Sequence, residues 1–188
     1  MLITFEGIDG SGKTTQTRLL KKWLESQGKQ VILTEEPTNN EIGNILKKQM
    51  KTNTHSWVEA ILFAADRALH CEQVIIPNLD KIVICDRYTH STLAYQTSMG
   101  LDHKWVTCLN KNAPTPDLTI YLDIKPETAM KRISKRNKQT IKYEKLALLK
   151  KVRQEYLRMK SKKFIIINAE KPIKDLFKEI RMIVNKLI

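Results

Sequence analysis

A chain of 188 residues, 41% of them hydrophobic and none in a low-complexity tract, carries enough apolar material for one sizeable core, which excludes a disordered or fibrous protein. No apolar run reaches the length of a membrane span, and Met1–Glu6 lacks the basic segment and apolar core of a secretion signal, so the expectation is a soluble protein of the cytoplasm. The net charge of +13 is lopsided: residues 1–124 carry 13 basic and 14 acidic side chains, residues 125–188 carry 20 and 6, a basic third that reads as solvated helix faces or as a nucleic-acid surface.

Leu2–Phe5 reads as a first short apolar strand, followed by a helix over Lys13–Gln27 that Gly28 terminates. Val31–Leu33 is the second strand, and Ser56–Val74 a helix. Lys81–Cys85 is the third strand, with helices over Thr89–Met99 and His103–Asn112 after it. Pro114-Thr115-Pro116 breaks the chain before a fourth strand, Leu118–Leu122. Helices over Pro126–Lys135 and Lys145–Lys160, a fifth strand at Phe164–Ile167 and a last helix over Ile173–Leu187 complete the series. Short apolar strands alternating with helices imply an α/β fold: one domain, 1–188, built on a five-stranded parallel sheet covered on both faces. Ligands in such sheets bind beyond the C-terminal strand ends.

The first strand end carries the strongest motif. Gly7-Ile8-Asp9-Gly10-Ser11-Gly12-Lys13-Thr14 matches GxxxxGK[ST] between a strand and a helix, the context a P-loop requires. Its glycines let backbone N–H groups ring an anion, and the helix N-terminus adds partial positive charge. Lys13 is expected to reach the β- and γ-phosphates of a bound nucleotide, Thr14 to bind Mg²⁺, and Thr15 to lie beside it.

Hydrolysis, switching and transfer remain to be separated. Asn110-Lys111-Asn112-Ala113 begins like a guanine-reading motif but lacks its aspartate and follows a helix. Asp86-Arg87-Tyr88 lacks the glycine of a switch, so the GTPase reading fails. Asp86, the acid at a buried strand end, suits the metal or an acceptor oxygen. Arg87 beside it suits a second anion opposite the donor phosphate, although a salt-bridged strand end is the plainer account. Phe63 and Arg67, four apart on one helix, can sandwich and read a nucleobase; the alternative is a core Phe63 and an Arg67 paired with an acid. Tyr95 and Gln96 offer an aromatic wall and an amide, or belong to a surface helix. The four histidines, His55, His70, His90 and His103, show no metal-like clustering and are given no role. The three cysteines show no CxxC spacing and indicate neither disulfides nor zinc.

Taken together, "FEGIDGSGKTTQ", Glu36-Pro37, "LFAADRALH", "DRYTHSTLAYQ", "PDLTIYLDIKPETAMKRISKR" and "KVRQEY" resemble the thymidylate kinase family over nearly the whole chain. The resemblance implies a P-loop NTPase fold with a short mobile lid over about 136–144. It also implies ATP and dTMP as substrates, Mg²⁺, and a homodimer through helices that include Ser56–Val74; no membrane or nucleic-acid partner is implied. By resemblance, Asp9 meets the dTMP 3′-hydroxyl, Phe63 stacks on thymine and Arg67 donates to a thymine carbonyl. Arg87 holds the acceptor phosphate with Asp86 near the metal, Tyr95 lies against the sugar, Gln96 approaches the base and Arg132 packs near the donor adenine. Glu36 falls on the acceptor side, or in a turn.

The departure is in the lid. Gln139-Thr140-Ile141-Lys142-Tyr143-Glu144 stands where the family carries Asp-Arg-(Phe/Ile)-Glu, the loop has Gly10-Ser11 instead of an arginine, and Glu35 replaces an arginine before Glu36-Pro37. Lysine supplies a point charge without the guanidinium fork. Arg136 and Lys142 are therefore expected to share the lid cation's role, with Arg153 as the alternative. Rival activities are a kinase for another nucleoside monophosphate or a deoxynucleoside, and a nucleic-acid-stimulated P-loop ATPase.

Overall fold

In the computed structural model, which describes residues 1–52, 54–136, 145–159 and 161–188, five parallel strands form one sheet in the order β2-β3-β1-β4-β5. The strands are β1 (Leu2–Glu6), β2 (Val31–Glu35), β3 (Ile82–Asp86), β4 (Leu118–Asp123) and β5 (Phe164–Asn168). Among the described residues eight α-helices connect or follow them: α1 (Lys13–Ser26), α2 (Glu41–Gln49), α3 (Ser56–His70), α4 (Thr89–Ser98), α5 (His103–Leu109), α6 (Pro126–Arg136), α7 (Leu146–Arg158) and α8 (Ile173–Val184). The parallel α/β sheet is the one expected. None of the described helices is long and apolar enough to cross a membrane.

Burial on both faces holds for the central strands: all of β1 and β3 and five of the six residues of β4 are buried. The outer strands β2 and β5 are only partly covered, because an edge strand lacks a neighbour on one side. Side chains alternate across the sheet. Val83 and Cys85 join Cys71, Ile75 and Tyr88, while Ile82 and Ile84 join the larger cluster with Leu20 and Leu24 of α1. Each such aliphatic side chain, fully buried, contributes about 1.5–3 kcal/mol.

Two local departures from the sequence pattern have identifiable causes. The α2 helix was not expected, because Gly43 inside it weakens the pattern. Asn40 caps the helix by accepting from the Gly43 amide at 2.7 Å, and a Cβ at Gly43 would lie 2.3 Å from the Thr38 carbonyl oxygen. The helix expected over Ser56–Val74 leaves α geometry at His70 and continues as one π turn, Cys71–Ile75, before Pro77.

The topology positions the site. β1 lies between β3 and β4, so the chain leaves β1 where strand order reverses and a crevice opens. In register, Phe5 pairs with Asp86, Glu35 with Asp86, and Glu6 with Tyr121. Four acids, Glu6, Glu35, Asp86 and Asp123, thus end adjacent strands at one rim.

Candidate active site

The P-loop closes tightly on the sheet. A Cβ at Gly10 (φ 81°) would meet the Ala129 carbonyl oxygen at 2.7 Å, and one at Gly7 (φ 145°) the Leu122 carbonyl oxygen at 2.8 Å. Only glycine admits that approach at those backbone angles. Lys13 is buried and folds over the loop, donating to the carbonyls of Gly7 (2.9 Å) and Ile8 (3.2 Å). Burial, helped by the Arg87 guanidinium, lowers its ammonium to about 8, a charge poised for an anion. Ser11 is buried with its hydroxyl unpartnered. Thr14 donates its hydroxyl to Asp86 Oδ2 at 2.7 Å, so the two expected metal ligands meet. Arg132 reaches the carbonyls of Gly10 (3.3 Å) and Ala169 (3.2 Å) and lines the P-loop cleft with Gly12 and Thr15.

Beside the loop, Arg87 follows β3 with φ 72°, a left-handed conformation disfavoured for a side-chain-bearing residue. It is held by its amide bonding to the Phe5 carbonyl at 2.9 Å, while the guanidinium reaches Asp9 (2.8 Å) and Ser91 Oγ (3.1 Å) and lies 5.2 Å from the Tyr95 ring centroid. The plainer account, a salt-bridged strand end, is correct for the Arg87–Asp9 pair. The strained backbone nonetheless turns the guanidinium into the crevice.

Under Arg87 sits Glu6, fully buried. It accepts from the Tyr88 amide (2.9 Å), the Ser91 hydroxyl and the Tyr156 hydroxyl (2.9 Å). Burial raises its carboxyl to about 7, partly offset by these donors and by Arg87 and Lys13. Tyr156 comes from α7. One turn earlier on that helix Arg153, the alternative lid cation, forks onto Asp123 at 2.7 and 2.8 Å through two of its three guanidinium nitrogens.

The third part is a narrow cavity walled by Pro37, Met50, Phe63, Arg67, Tyr95 and Gln96, reaching Asp9 and Arg87. Phe63 is half-buried on its wall, not in the main core. Arg67 pairs with the buried Glu36, as the alternative reading expects, and it also lines the cavity, its Nε without a partner among the described residues. Gln96 is fully buried, and neither atom of its amide has a partner among the described residues. An unpaired buried amide costs about 1–3 kcal/mol, and a hydrogen-bonding group brought into the cavity would relieve that cost.

This geometry agrees with what the chain resembles among known proteins. Residues 5–180 match the family model described as "Thymidylate kinase". A probable thymidylate kinase of Sulfolobus acidocaldarius is 44% identical over 183 residues, covering 95% of this chain and 93% of that protein. One of Pyrococcus horikoshii is 42% identical, covering 95% and 92%, and one of Pyrococcus abyssi 41%, with the same coverage. The chain belongs to the thymidylate kinase family.

Within this thymidylate kinase, Asp9, Glu36, Phe63, Arg67, Arg87, Tyr95 and Gln96 converge on one cavity, and Lys13, Thr14, Thr15 and Arg132 on the cleft beside it. The lid expected over 136–144 falls outside the described residues except for the backbone of Arg136, which ends α6; Lys142 lies wholly outside them. Four residues given no role from sequence belong to the site's framework: Glu6, Tyr156, Asn110 and His70. Glu6 was open to detection, as an acid ending an apolar strand immediately before the P-loop. His70 lies 2.9 Å from Glu36 through Nδ1. Neither it nor Asn110 has a sequence signal, because their partners lie 34 and 43 residues away.

Proposed function

We propose that this kinase transfers the γ-phosphoryl group of ATP to dTMP, giving dTDP and ADP, with ATP over the P-loop and dTMP in the Phe63 cavity. The observation that carries the acceptor assignment is the buried, unpartnered amide of Gln96 beside the unpartnered Nε of Arg67. Two donors and an acceptor against an aromatic wall complement thymine, which presents two keto oxygens and one N–H. Phe63 stacks on the ring, Tyr95 flanks the sugar, and Asp9 takes the 3′-hydroxyl.

Arg87 then holds the dTMP phosphate and offsets the repulsion between two polyanions. An oxygen of that phosphate attacks the γ-phosphorus, the bond to the β,γ-bridging oxygen breaks, and ADP departs with that electron pair. Lys13 stabilises charge gathering on the transferring group, and no side chain acts as nucleophile. Thr14 and Asp86, a hydroxyl and a carboxylate in contact at 2.7 Å, are hard oxygen donors that suit Mg²⁺. When bound, that ion neutralises phosphate charge. Arg132 flanks the adenine, and Glu36 acts on the acceptor side through Arg67. Arg136 and Lys142 supply the lid cation. Trp57 and Ile61, four apart on α3 and 52% and 42% exposed, support a homodimer through that helix; the working compartment is the cytoplasm.

A coupled ADP-release assay over dTMP, dUMP, dCMP, CMP and thymidine, with and without Mg²⁺, tests the assignment. The expected outcome is Mg²⁺-dependent turnover with dTMP preferred. A preference for another monophosphate or for the unphosphorylated nucleoside, or hydrolysis stimulated only by nucleic acid, overturns it.

A further inference from the structure

Arg67 reaches the cavity from a helix, yet what aims it lies elsewhere in the chain. Its Nη2 donates to Glu36 and, at 2.9 Å, to the Thr92 hydroxyl; its Nη1 donates to Asn110 Oδ1. Among the described residues Nε is the one guanidinium nitrogen without a partner. The acceptors are themselves fixed. Asn110, just past the end of α5, donates its own amide to the Val106 carbonyl at 2.8 Å, which orients its oxygen toward Arg67. Glu36 is held through its other oxygen by His70 Nδ1 at 2.9 Å, and His70 Nε2 lies 2.7 Å from the Thr34 hydroxyl.

A planar guanidinium with both Nη groups engaged on opposite partners has one orientation left. Asn110 holds Nη1 alone, whereas Nη2 has two partners. Removing the Asn110 oxygen therefore frees one arm of the fork and lets the plane swing about the Glu36–Thr92 side. The direction of the Nε–H bond then ceases to be defined.

We propose that Asn110 is a specificity-positioning residue, turning Arg67 so that its unpartnered N–H meets a keto oxygen at the pyrimidine 4-position and rejects an amino group there. The inference rests on the acceptor cavity proposed above. A keto oxygen completes the donor. The amino group of a cytosine base sets donor against donor and leaves both without a partner in a dry site, the circumstance in which a site discriminates most strongly. Asn110 touches no ligand in this arrangement and acts only through Arg67.

The test is steady-state kinetics with dTMP and dCMP on the full chain and on Asn110→Leu, Asn110→Ser and Asn110→Asp. For Asn110→Leu, KM for dTMP is expected to rise about tenfold, more than kcat falls, and the dTMP-to-dCMP ratio of kcat/KM to drop about tenfold or more, the worth of one misdirected hydrogen bond. Asn110→Asp keeps the acceptor oxygen and is expected to hold the ratio within about threefold of wild type. Asn110→Ser is too short to reach Arg67 and carries the test should the leucine variant fail to fold. A ratio unchanged in the leucine or serine variant, or lost equally in the aspartate variant, overturns the inference. Wild-type enzyme without a dTMP preference would instead overturn the cavity assignment, so the two failures are distinct.

Discussion

Around Lys13 the crevice has room of about 240 Å³ and is lined by Gly10, Gly12, Thr14 and Thr15 together with Asp9 and Arg132; around Phe63 and Gln96 the room is about 60 Å³ and the walls mix buried side chains, Arg67, Tyr95 and Gln96, with half-buried ones, Pro37, Met50 and Phe63. The first is suited to an anion, with backbone N–H groups, the Lys13 ammonium and the Arg132 guanidinium around it, so charge dominates what it can bind. The second presents an aromatic face and polar atoms that have no partner among the described residues, so it is suited to a ligand with a matching pattern of donors and acceptors. Phosphoryl transfer needs both, because energy must be delivered from a common donor to one selected acceptor. Arg87, shared between Asp9 of the loop and Ser91 of α4, is the seam between them.

The largest expected effect separates chemistry from binding. Arg136→Ala with Lys142→Ala is expected to lower kcat by about 10³, at the lower end of what an arginine finger contributes, with a smaller change in KM for dTMP. Turnover within about threefold of wild type would remove the lid from the mechanism, since that factor corresponds to under 1 kcal/mol of barrier.

On the acceptor side, Arg67→Met leaves Glu36 buried without its guanidinium and is expected to cost about 3–5 kcal/mol in denaturant unfolding. Adding Glu36→Leu should recover much of that stability without recovering dTMP binding. Recovery of both would show that Arg67 has only a structural role. Gln96→Leu sharpens the contrast. Replacing an unpartnered buried amide with an apolar group should leave the free protein as stable or more so, while raising KM for dTMP about 10- to 100-fold, from about 1–3 kcal/mol of lost pairing. A variant that loses stability and keeps its KM would contradict the assignment of that cavity.

The smallest effect lies in pH. Lys13 is lowered to about 8, so it is charged below that pH and loses its proton above it; kcat/KM for ATP should decline as pH rises through about 8. In kcat the limb should move to higher pH, because bound phosphates favour the ammonium. Glu6, raised to about 7, is ionised above that pH and accepts its three donors in that form. Below about 7 it protonates and slackens the support of Arg87, so kcat/KM for dTMP should fall on the acid side. Identical profiles for both substrates would mean that the two halves are not electrostatically distinct.

Much of this was legible in the chain. The P-loop is contiguous, its glycines and Lys13 lie within seven residues, and the flanking strand and helix have clear periodicities. Asp86 and Arg87 stood out because an acid and a base directly after a buried strand demand an explanation. Phe63 and Arg67 are visible as a pair, although the sequence leaves two readings of Arg67 open; the structure shows its pairing with Glu36 and its place on the cavity wall. His70 received no role, and Asn110 was considered only as a fragment of a guanine motif. In the fold they form one framework around Glu36 and Arg67.

What is local is legible in the chain: the five strands, most of the helices, the anion cradle, and which residue types stand at the strand ends. These depend on backbone propensity, side-chain period and short loops, all of which act within a few residues. Only the tertiary structure decided that Arg67 would be gripped by residues 36, 92 and 110, and that Glu6 would meet a tyrosine 150 positions along the chain. Such hydrogen bonds form when the parallel crossovers close and remove water from their partners. Their geometry is a property of the packed layers, to which no one segment holds the key.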